Sequence, residues 1–377
     1  MMQKDTDWKS GMAALKFHVL ILAFWAGVLI PSSCHGHSGL MRKHAALYIF
    51  GDSLFDPGNN NYINTTNDFK ADWLPYGETF FKYPTGRFCD GRLIPDFIAE
   101  YAKLPIVPAI YPRIVDYTYG VNFASGGAGA LDETRKKGLV IPLNYQLHLF
   151  EDVVKHLKHN LGDAETYTLL SNAVYLISIG GNDYFAPLAT DCSYFETHSQ
   201  EEYVGMVIGN LTNVINEIYN KGGRKFGFTR LPPLGLVPSQ RPGNNGTCVK
   251  EVTSLVNMHN TALPKHLEKL KGKLQGFKYS IAKLDTYLTA RINYPSKYGF
   301  KEGKSACCGS GPYGGIYSCG GKRGVTEYRL CANVSEYVFF DSFHPTERVY
   351  QQLAELWWNQ VPNAKEPYSN LKELFEV

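Results

Sequence analysis

Residues 45–61 read AALYIFGDSLFDPGNNN, and the fold turns on this stretch. Ala45–Phe50 is a short, mostly apolar run, the pattern of a strand covered on both faces. It breaks at Gly51-Asp52-Ser53-Leu54, which leaves a serine just past the C-terminal end of a buried strand. In open α/β sheets, ligands bind in the crevice outside the carboxyl ends of the strands. Serine and aspartate at such a place also form turns and helix caps, so Ser53 implies chemistry only if partners for it exist elsewhere. Gly51 is expected to allow the tight exit from the strand, and Asp52 to brace the turn. The Pro57–Asn61 run reads as a loop beside a substrate entrance.

Four more segments read as buried strands: Tyr119–Ala124, Ala173–Ile179, Lys225–Thr229 and Lys278–Asp285. Helical patterns fall between them. Pro95–Leu104 begins with a proline suited to a first turn. Leu143–Leu161 repeats apolar residues with a period near 3.6, and Tyr203–Asn220 does the same before stopping at Gly222-Gly223. Val249–Leu270 is a further helix, with Pro264 as an expected kink or break, and Thr346–Trp358 closes the chain's fold. Alternating strands and helices predict a parallel sheet with right-handed crossovers and helices on both faces.

The 377 residues carry a formal net charge of only +3 and no long basic run, so nothing points to a nucleic-acid partner. Lys4, Lys9 and Lys16 precede the apolar run Phe17–Ile30, and Pro31 and small residues follow. This is the layout of a secretory signal peptide, expected over residues 1–36, with one domain over 37–377. No later stretch reaches transmembrane length, so the expected mature protein is secreted and extracellular, with no integral membrane segment. Eight cysteines suit that compartment; Cys34 leaves with the leader, and the odd remainder of seven requires at least one free thiol. Cys307, Cys308, Cys319 and Cys331 lie in a Gly-rich stretch that disulfides would staple; a zinc site is the weaker alternative, since no C-x-x-C pair occurs. Sequons at Asn64, Asn210, Asn245 and Asn333 fit the same route. Nothing in the sequence sets an oligomeric state.

A serine is a poor nucleophile without a base. Among eleven histidines, His344 stands out in Asp341-Ser342-Phe343-His344-Pro345, directly after the apolar run Tyr337–Phe340. An aspartate three residues before a histidine can fold back onto the imidazole, fix its tautomer and stabilise the imidazolium. Two glycine loops can supply oxyanion donors. Gly126-Gly127 follows the second strand, and Gly180-Gly181-Asn182-Asp183 follows the third. A parallel sheet brings Ser53, the Gly126-Gly127 loop and Asn182 to one edge.

In this order, Gly51-Asp52-Ser53-Leu54, Gly126/Gly127, Gly180-x-Asn182-Asp183 and Asp341-x-x-His344, the chain resembles the GDSL esterases/lipases, or SGNH hydrolases. The likeness runs from about Ala45 to the C-terminus and includes Pro84-Thr85-Gly86-Arg87-Phe88 and Ala306-Cys307-Cys308-Gly309. It is strongest to the plant members, and among them to secreted lipases linked to pathogen defence and ethylene signalling. The resemblance implies a flavodoxin-like α/β/α sandwich with a five-stranded parallel sheet. It implies Ser53 as nucleophile, His344 as base, Asp341 as the acid orienting it, and an oxyanion hole of the Ser53 N–H, a Gly126 or Gly127 N–H and the Asn182 side chain. Counting from Asn122 favours Gly127.

The expected activity is hydrolysis of a lipid or acyl ester through an acyl-enzyme, with no cofactor and no metal. Phe55 stands where an α/β-hydrolase elbow would have its second glycine. Acyl transfer to an alcohol uses the same site, and a catalytically silent binding protein is the alternative of another class. Leu74, Phe80 and Phe81 are candidates for lining an acyl pocket or for core packing.

Overall fold

The computed structural model describes residues 45–113, 116–188, 192–242, 248–361 and 370–376. The expected leader, residues 1–36, lies outside them. Five parallel strands form the central sheet: β1 (Leu47–Gly51), β2 (Gly120–Asn122), β3 (Val174–Ser178), β4 (Lys225–Thr229) and β5 (Lys278–Ala282). Their order is β2-β1-β3-β4-β5, the flavodoxin-like order in which the chain reverses direction across the sheet between β1 and β3. All five strands expected from the sequence are present: β4 keeps its expected bounds, β2, β3 and β5 are trimmed by one to three residues at their ends, and β1 starts two residues later and ends one later, at Gly51.

Alternation along each strand sorts the core into two layers. Tyr48, Phe50, Tyr175, Ile177, Phe226 and Phe228 face one side. There they meet α2 (Leu143–Leu161), α5 (Gln200–Asn220) and α6 (Val249–Lys273). Leu47, Ile49, Val174 and Leu176 face the other side and pack on α1 (Ile94–Tyr101), α7 (Leu284–Asn293) and α8 (Glu347–Trp358). Within the first layer Tyr48, Tyr175 and Phe226 occupy matched registers on neighbouring strands and stack at 5.5 and 5.3 Å. Each such pair adds about 0.5–1.5 kcal/mol beyond its buried area, so this ladder helps fix the register on which the rim depends.

Pro264 does not end its helix: α6 runs through it to Lys273. Losing one hydrogen bond there costs about 3 kcal/mol, and burial of Leu255, Leu263, Leu267 and Leu270 along the same helix outweighs it. Among the described residues five α-helices were not apparent in the sequence: α3 (Asp163–Asn172), α4 (Gly181–Leu188), α7, and the short Tyr194–Thr197 and Leu371–Phe375.

Outside the sheet, β6 (Glu302–Ala306) pairs with β9 (Tyr337–Phe339), and β7 (Cys308–Gly309) pairs with β8 (Arg329–Leu330). Disulfides Cys307–Cys331 and Cys308–Cys319 tie this region together, and Cys192–Cys248 joins the start of α6 to the segment after α4. The four clustered cysteines are therefore bridges and not a zinc site. Among the described residues the unpaired thiol is Cys89, which is buried; burial pushes its pKa up, so it is inert as a nucleophile.

Candidate active site

Three neighbouring strands, β2, β1 and β3, end at the same edge, and each is followed by one of the sequence-predicted site segments. The turn after β1 is unusually close to β3. A Cβ on Gly51 would lie 2.5 Å from the Ser178 carbonyl oxygen, so only glycine fits there. The Gln146 side chain holds this exit from both sides, accepting from the Gly51 N–H at 2.9 Å and donating to the Gly51 carbonyl at 2.8 Å. Asp52 braces the turn as expected: its carboxylate accepts the Leu54 N–H at 3.0 Å. Burial raises the Asp52 pKa to about 7.

Ser53 Oγ lies 2.8 Å from His344 Nε2. On the other side of the ring, His344 Nδ1 is 2.8 and 2.9 Å from the two carboxylate oxygens of Asp341. The hydroxyl, imidazole and carboxylate thus form one continuous hydrogen-bond chain. Asp341 is fully buried, and its Oδ1 also accepts the backbone N–H groups of Phe343 and His344. Burial alone would raise its pKa. The charge and hydrogen bond of His344, the Arg323 charge and the Phe343 N–H outweigh burial and hold the carboxyl below its ordinary value. Such an imidazole can take the serine proton while the carboxylate stabilises the resulting cation.

Beyond Asp341 stands a pair that sequence reasoning missed. Tyr76 donates its hydroxyl to Asp341 Oδ2 at 2.7 Å, and Arg323 Nη1 donates to the Tyr76 oxygen at 2.8 Å. Arg323 is itself buried, with its guanidinium 3.8 Å from the Tyr317 ring centroid. Burial works against its charge, but Tyr317, Tyr76 and Asp341 outweigh it and raise its pKa. The His344 ring is packed against Phe88, 5.0 Å between centroids.

The two glycines of the second motif have different jobs. Gly126 N–H donates to Asp56 Oδ2 at 2.8 Å and is thereby occupied. Gly127, with φ of +83°, lines the cleft, and a Cβ on it would lie 2.3 Å from the Phe69 ring. Among the described residues no partner takes the N–H of Gly127 or of Ser53. Asn182, at the start of α4, spends one amide hydrogen on the Ala128 carbonyl at 3.0 Å, which orients the other. Asp183 points away from the cleft and organises the loop opposite, accepting from Ala130 N, Leu131 N and Thr134 Oγ1. Ser53, Gly127, Asn182 and His344 all line one cleft of about 380 Å³. Three donors and an imidazole-paired hydroxyl around one space can hold an oxyanion while the hydroxyl attacks a carbonyl.

Two expectations about the cleft wall are overturned. Pro57–Asn61 is not an entrance loop. Asn59 and Asn60 are buried; Asn59 Nδ2 donates to the Asn122 and Ala124 carbonyls, and Asn60 Nδ2 to those of Phe69 and Gly126. The run is an internal brace that joins the serine turn to the glycine loop. Leu74, Phe80 and Phe81 do not line the cleft either. Leu74 and Phe80 are 60% and 44% exposed, and Arg92 and Arg87 sit over the Phe80 and Phe81 rings at 4.1 and 4.6 Å. The apolar wall is instead Leu54, Phe69, Phe88, Phe185, Leu188, Leu231, Leu234, Val237, Val252 and Phe343.

Of the sequons, Asn64 and Asn333 are exposed. Asn210 is half-buried in α5 with its amide on the Ala130 carbonyl, and Asn245 lies outside the described residues. Among the described residues, no helix is long and apolar enough to cross a membrane, and no group of three or more His, Cys, Asp or Glu is placed to hold a metal ion.

The fold and the grouping of these side chains define a hydrolase of the SGNH type, built on a flavodoxin-like sheet. The chain belongs to the GDSL-like lipase/acylhydrolase family, whose profile matches residues 47–357. It is 50% identical to a GDSL lipase of Tanacetum cinerariifolium, over 97% of this chain and 96% of that protein. It is also 49% identical to GDSL esterase/lipase 1 and to GDSL esterase/lipase 2 of Arabidopsis thaliana, each over 95% of this chain and 98% of the relative. The chain is accordingly a carboxylic ester hydrolase.

Proposed function

We propose that the protein is a secreted serine esterase or lipase that works through an acyl-enzyme. The observation that carries this reading is the unbroken Ser53–His344–Asp341 hydrogen-bond chain beside two unpartnered backbone N–H groups. His344 Nε2 takes the proton from Ser53 Oγ as the oxygen attacks the ester carbonyl. The N–H groups of Ser53 and Gly127 and the Asn182 amide hold the oxyanion, and Asp341 holds the imidazolium. His344 then returns the proton to the leaving alcohol. Water, deprotonated by the same imidazole, attacks the Ser53 ester and releases the acid. The apolar wall favours an acyl chain at the reacting carbonyl.

Secretion rests on the leader pattern of residues 1–36, ahead of a hydrolase domain over 37–377, and fits the three disulfides. Asn64 and Asn333 have the exposed side chains that glycosylation needs. A role in plant defence or ethylene-linked signalling extends the resemblance noted above.

Ser53→Ala is the direct test. It should abolish hydrolysis of 4-nitrophenyl butyrate and labelling by a fluorophosphonate probe, while the melting temperature stays near that of the parent. Undiminished hydrolysis by the folded variant would remove Ser53 from the mechanism.

A further inference from the structure

Arg135 lines the same cleft as Ser53, and the mechanism leaves it unused. Its side chain makes no ion pair and no hydrogen bond with any described residue, and its Nε is buried without a partner. A buried guanidinium donor left unpaired is costly, and proteins ordinarily pair it. Burial lowers the Arg135 pKa, which is the electrostatic side of the same deficit.

The surrounding turn is built to hold the side chain in this position. Thr134, just before it, donates its hydroxyl to Asp183 at 2.7 Å, next to Asn182. Arg135 adopts the left-handed conformation at φ +54°, and so does Leu139 at φ +53°, which closes the turn. Non-glycine residues in that region carry strain that tends to sit at functional sites. Gly138 approaches the Phe69 ring so closely that a Cβ would lie 2.4 Å from it, and the same ring covers Gly127. Arg135 therefore belongs to the wall on the oxyanion side. The exposed Lys136 and Lys137 follow it and the exposed Asp132 and Glu133 precede it, so the flanking charges cancel and Arg135 is the cation that lines the cleft. Asp68 also lines the cleft, and its charge partly offsets the effect of burial on Arg135, but it is exposed and forms no ion pair with it.

We propose that Arg135 is a subsite for an anionic group of the substrate, a carboxylate or a phosphate monoester separated from the scissile ester. This rests on the esterase reading above. A guanidinium pairs such groups through charge-assisted hydrogen bonds, and a substrate anion in the cleft supplies the partner that the Arg135 side chain lacks. The favoured substrates are then esters that carry a second, negatively charged end.

The test compares matched esters. One arm sets mono(4-nitrophenyl) glutarate against 4-nitrophenyl butyrate, and the other sets a decanoyl glycerol phosphate against decanoyl glycerol. The parent protein should prefer the charged member in at least one arm, and the arm identifies the anion. In Arg135→Gln the charged-to-neutral ratio of kcat/KM should fall roughly tenfold or more in that arm, with partial recovery in Arg135→Lys. A parent that prefers the neutral ester in both arms overturns the subsite, whether or not the variants fold. An unchanged ratio in a folded Arg135→Gln protein does the same while leaving the esterase reading intact. A folded parent that hydrolyses none of the four esters overturns both readings.

Discussion

Ser53, Gly127 and Asn182 follow three neighbouring strands of the sheet, whereas His344 and Asp341 follow β9, which is not one of the sheet's strands. The two sides of the cleft are positioned by different means. On the rim side, parallel register and short turns leave each group within a few residues of a buried strand. On the other side, placement depends on side chains far apart in sequence: Tyr76 reaches Asp341 across 265 residues, and Arg323 reaches Tyr76 across 247. The disulfide-stapled, Gly-rich segment supplies Arg323. It has little core of its own, and a cross-link closing a loop of this size is worth about 3 kcal/mol. A rim held by the main sheet and a base held by a stapled flank can be perturbed separately.

The largest effect is expected on the flank. Asp341→Asn keeps the shape but removes the charge that orients and stabilises the His344 imidazolium, so kcat should fall by about 10⁴. Binding of a non-hydrolysable ester analogue should be nearly unchanged. A loss below tenfold would mean that Asp341 only supports the loop. On the rim, Asn182→Ala removes one of the three proposed oxyanion donors while Ser53 and His344 stay paired. Its kcat on 4-nitrophenyl butyrate should fall by about 10²–10³. If the drop instead appears as a higher KM with kcat preserved, Asn182 binds the ground state and the rim is not an oxyanion hole.

Arg323→Gln probes the relay that distinguishes the flank from the rim. It removes the guanidinium behind Tyr76, a charge-assisted hydrogen bond of about 1.5–3 kcal/mol. With less opposing charge nearby, the Asp341 carboxyl should rise toward its ordinary pKa. We expect kcat to fall by roughly tenfold, with KM little changed and the acid limb of the rate profile moved toward neutral pH. Arg323→Lys should recover part of the loss. Equal loss in both variants together with a lowered melting temperature would reduce Arg323 to a packing role.

The same contrast explains what could be read from the sequence. Ser53, the glycine loops and Asn182 were legible because each motif follows an apolar run and a parallel sheet collects such ends at one edge. Asp341 and His344 were legible because the three-residue spacing lets one side chain fold onto the other. Tyr76 and Arg323 left no local signal; their contact depends on the path of the stapled segment. The Asn-rich run after Pro57 was misread because asparagine and glycine signal an exposed turn, yet Asn59 and Asn60 satisfy buried carbonyls with their amides. The acyl wall was missed for a related reason. Phe69 precedes α1, Phe185 lies in α4, and Leu231 and Val237 follow β4, so no periodicity links them. The choice between Gly126 and Gly127 was open in the sequence because it depends on which N–H the Asp56 carboxylate already occupies.

The smallest effect concerns stability, and it separates the two sides by the sign of their pKa shifts. On the rim, burial raises Asp52 to about 7 and Asp56 and Asp183 to about 6. Asp341 on the flank is held below its ordinary value. A raised carboxyl keeps its proton in the folded protein at pH values where the unfolded chain has lost it. Its contribution is therefore complete below about pH 4 and is lost as pH rises through 6 to 7. Asp341 contributes in the opposite sense, and its share is lost only as pH falls below about 4. Between pH 5 and pH 8 the rim groups act together with buried Asp90, which burial raises to about 6, and against buried His259, which burial lowers to about 3 and which takes up a proton only in the unfolded chain. The four raised carboxyls outweigh the one histidine, so the folded protein should be more stable at pH 5, by several degrees in Tm. Asp52→Asn retains an acceptor for the Leu54 N–H but cannot ionise, so it should flatten the part of this slope nearest pH 7. A pH slope left unchanged in folded Asp52→Asn would mean that backbone donors, rather than burial, set the protonation of this rim carboxylate, and the electrostatic contrast between rim and flank would fall with it.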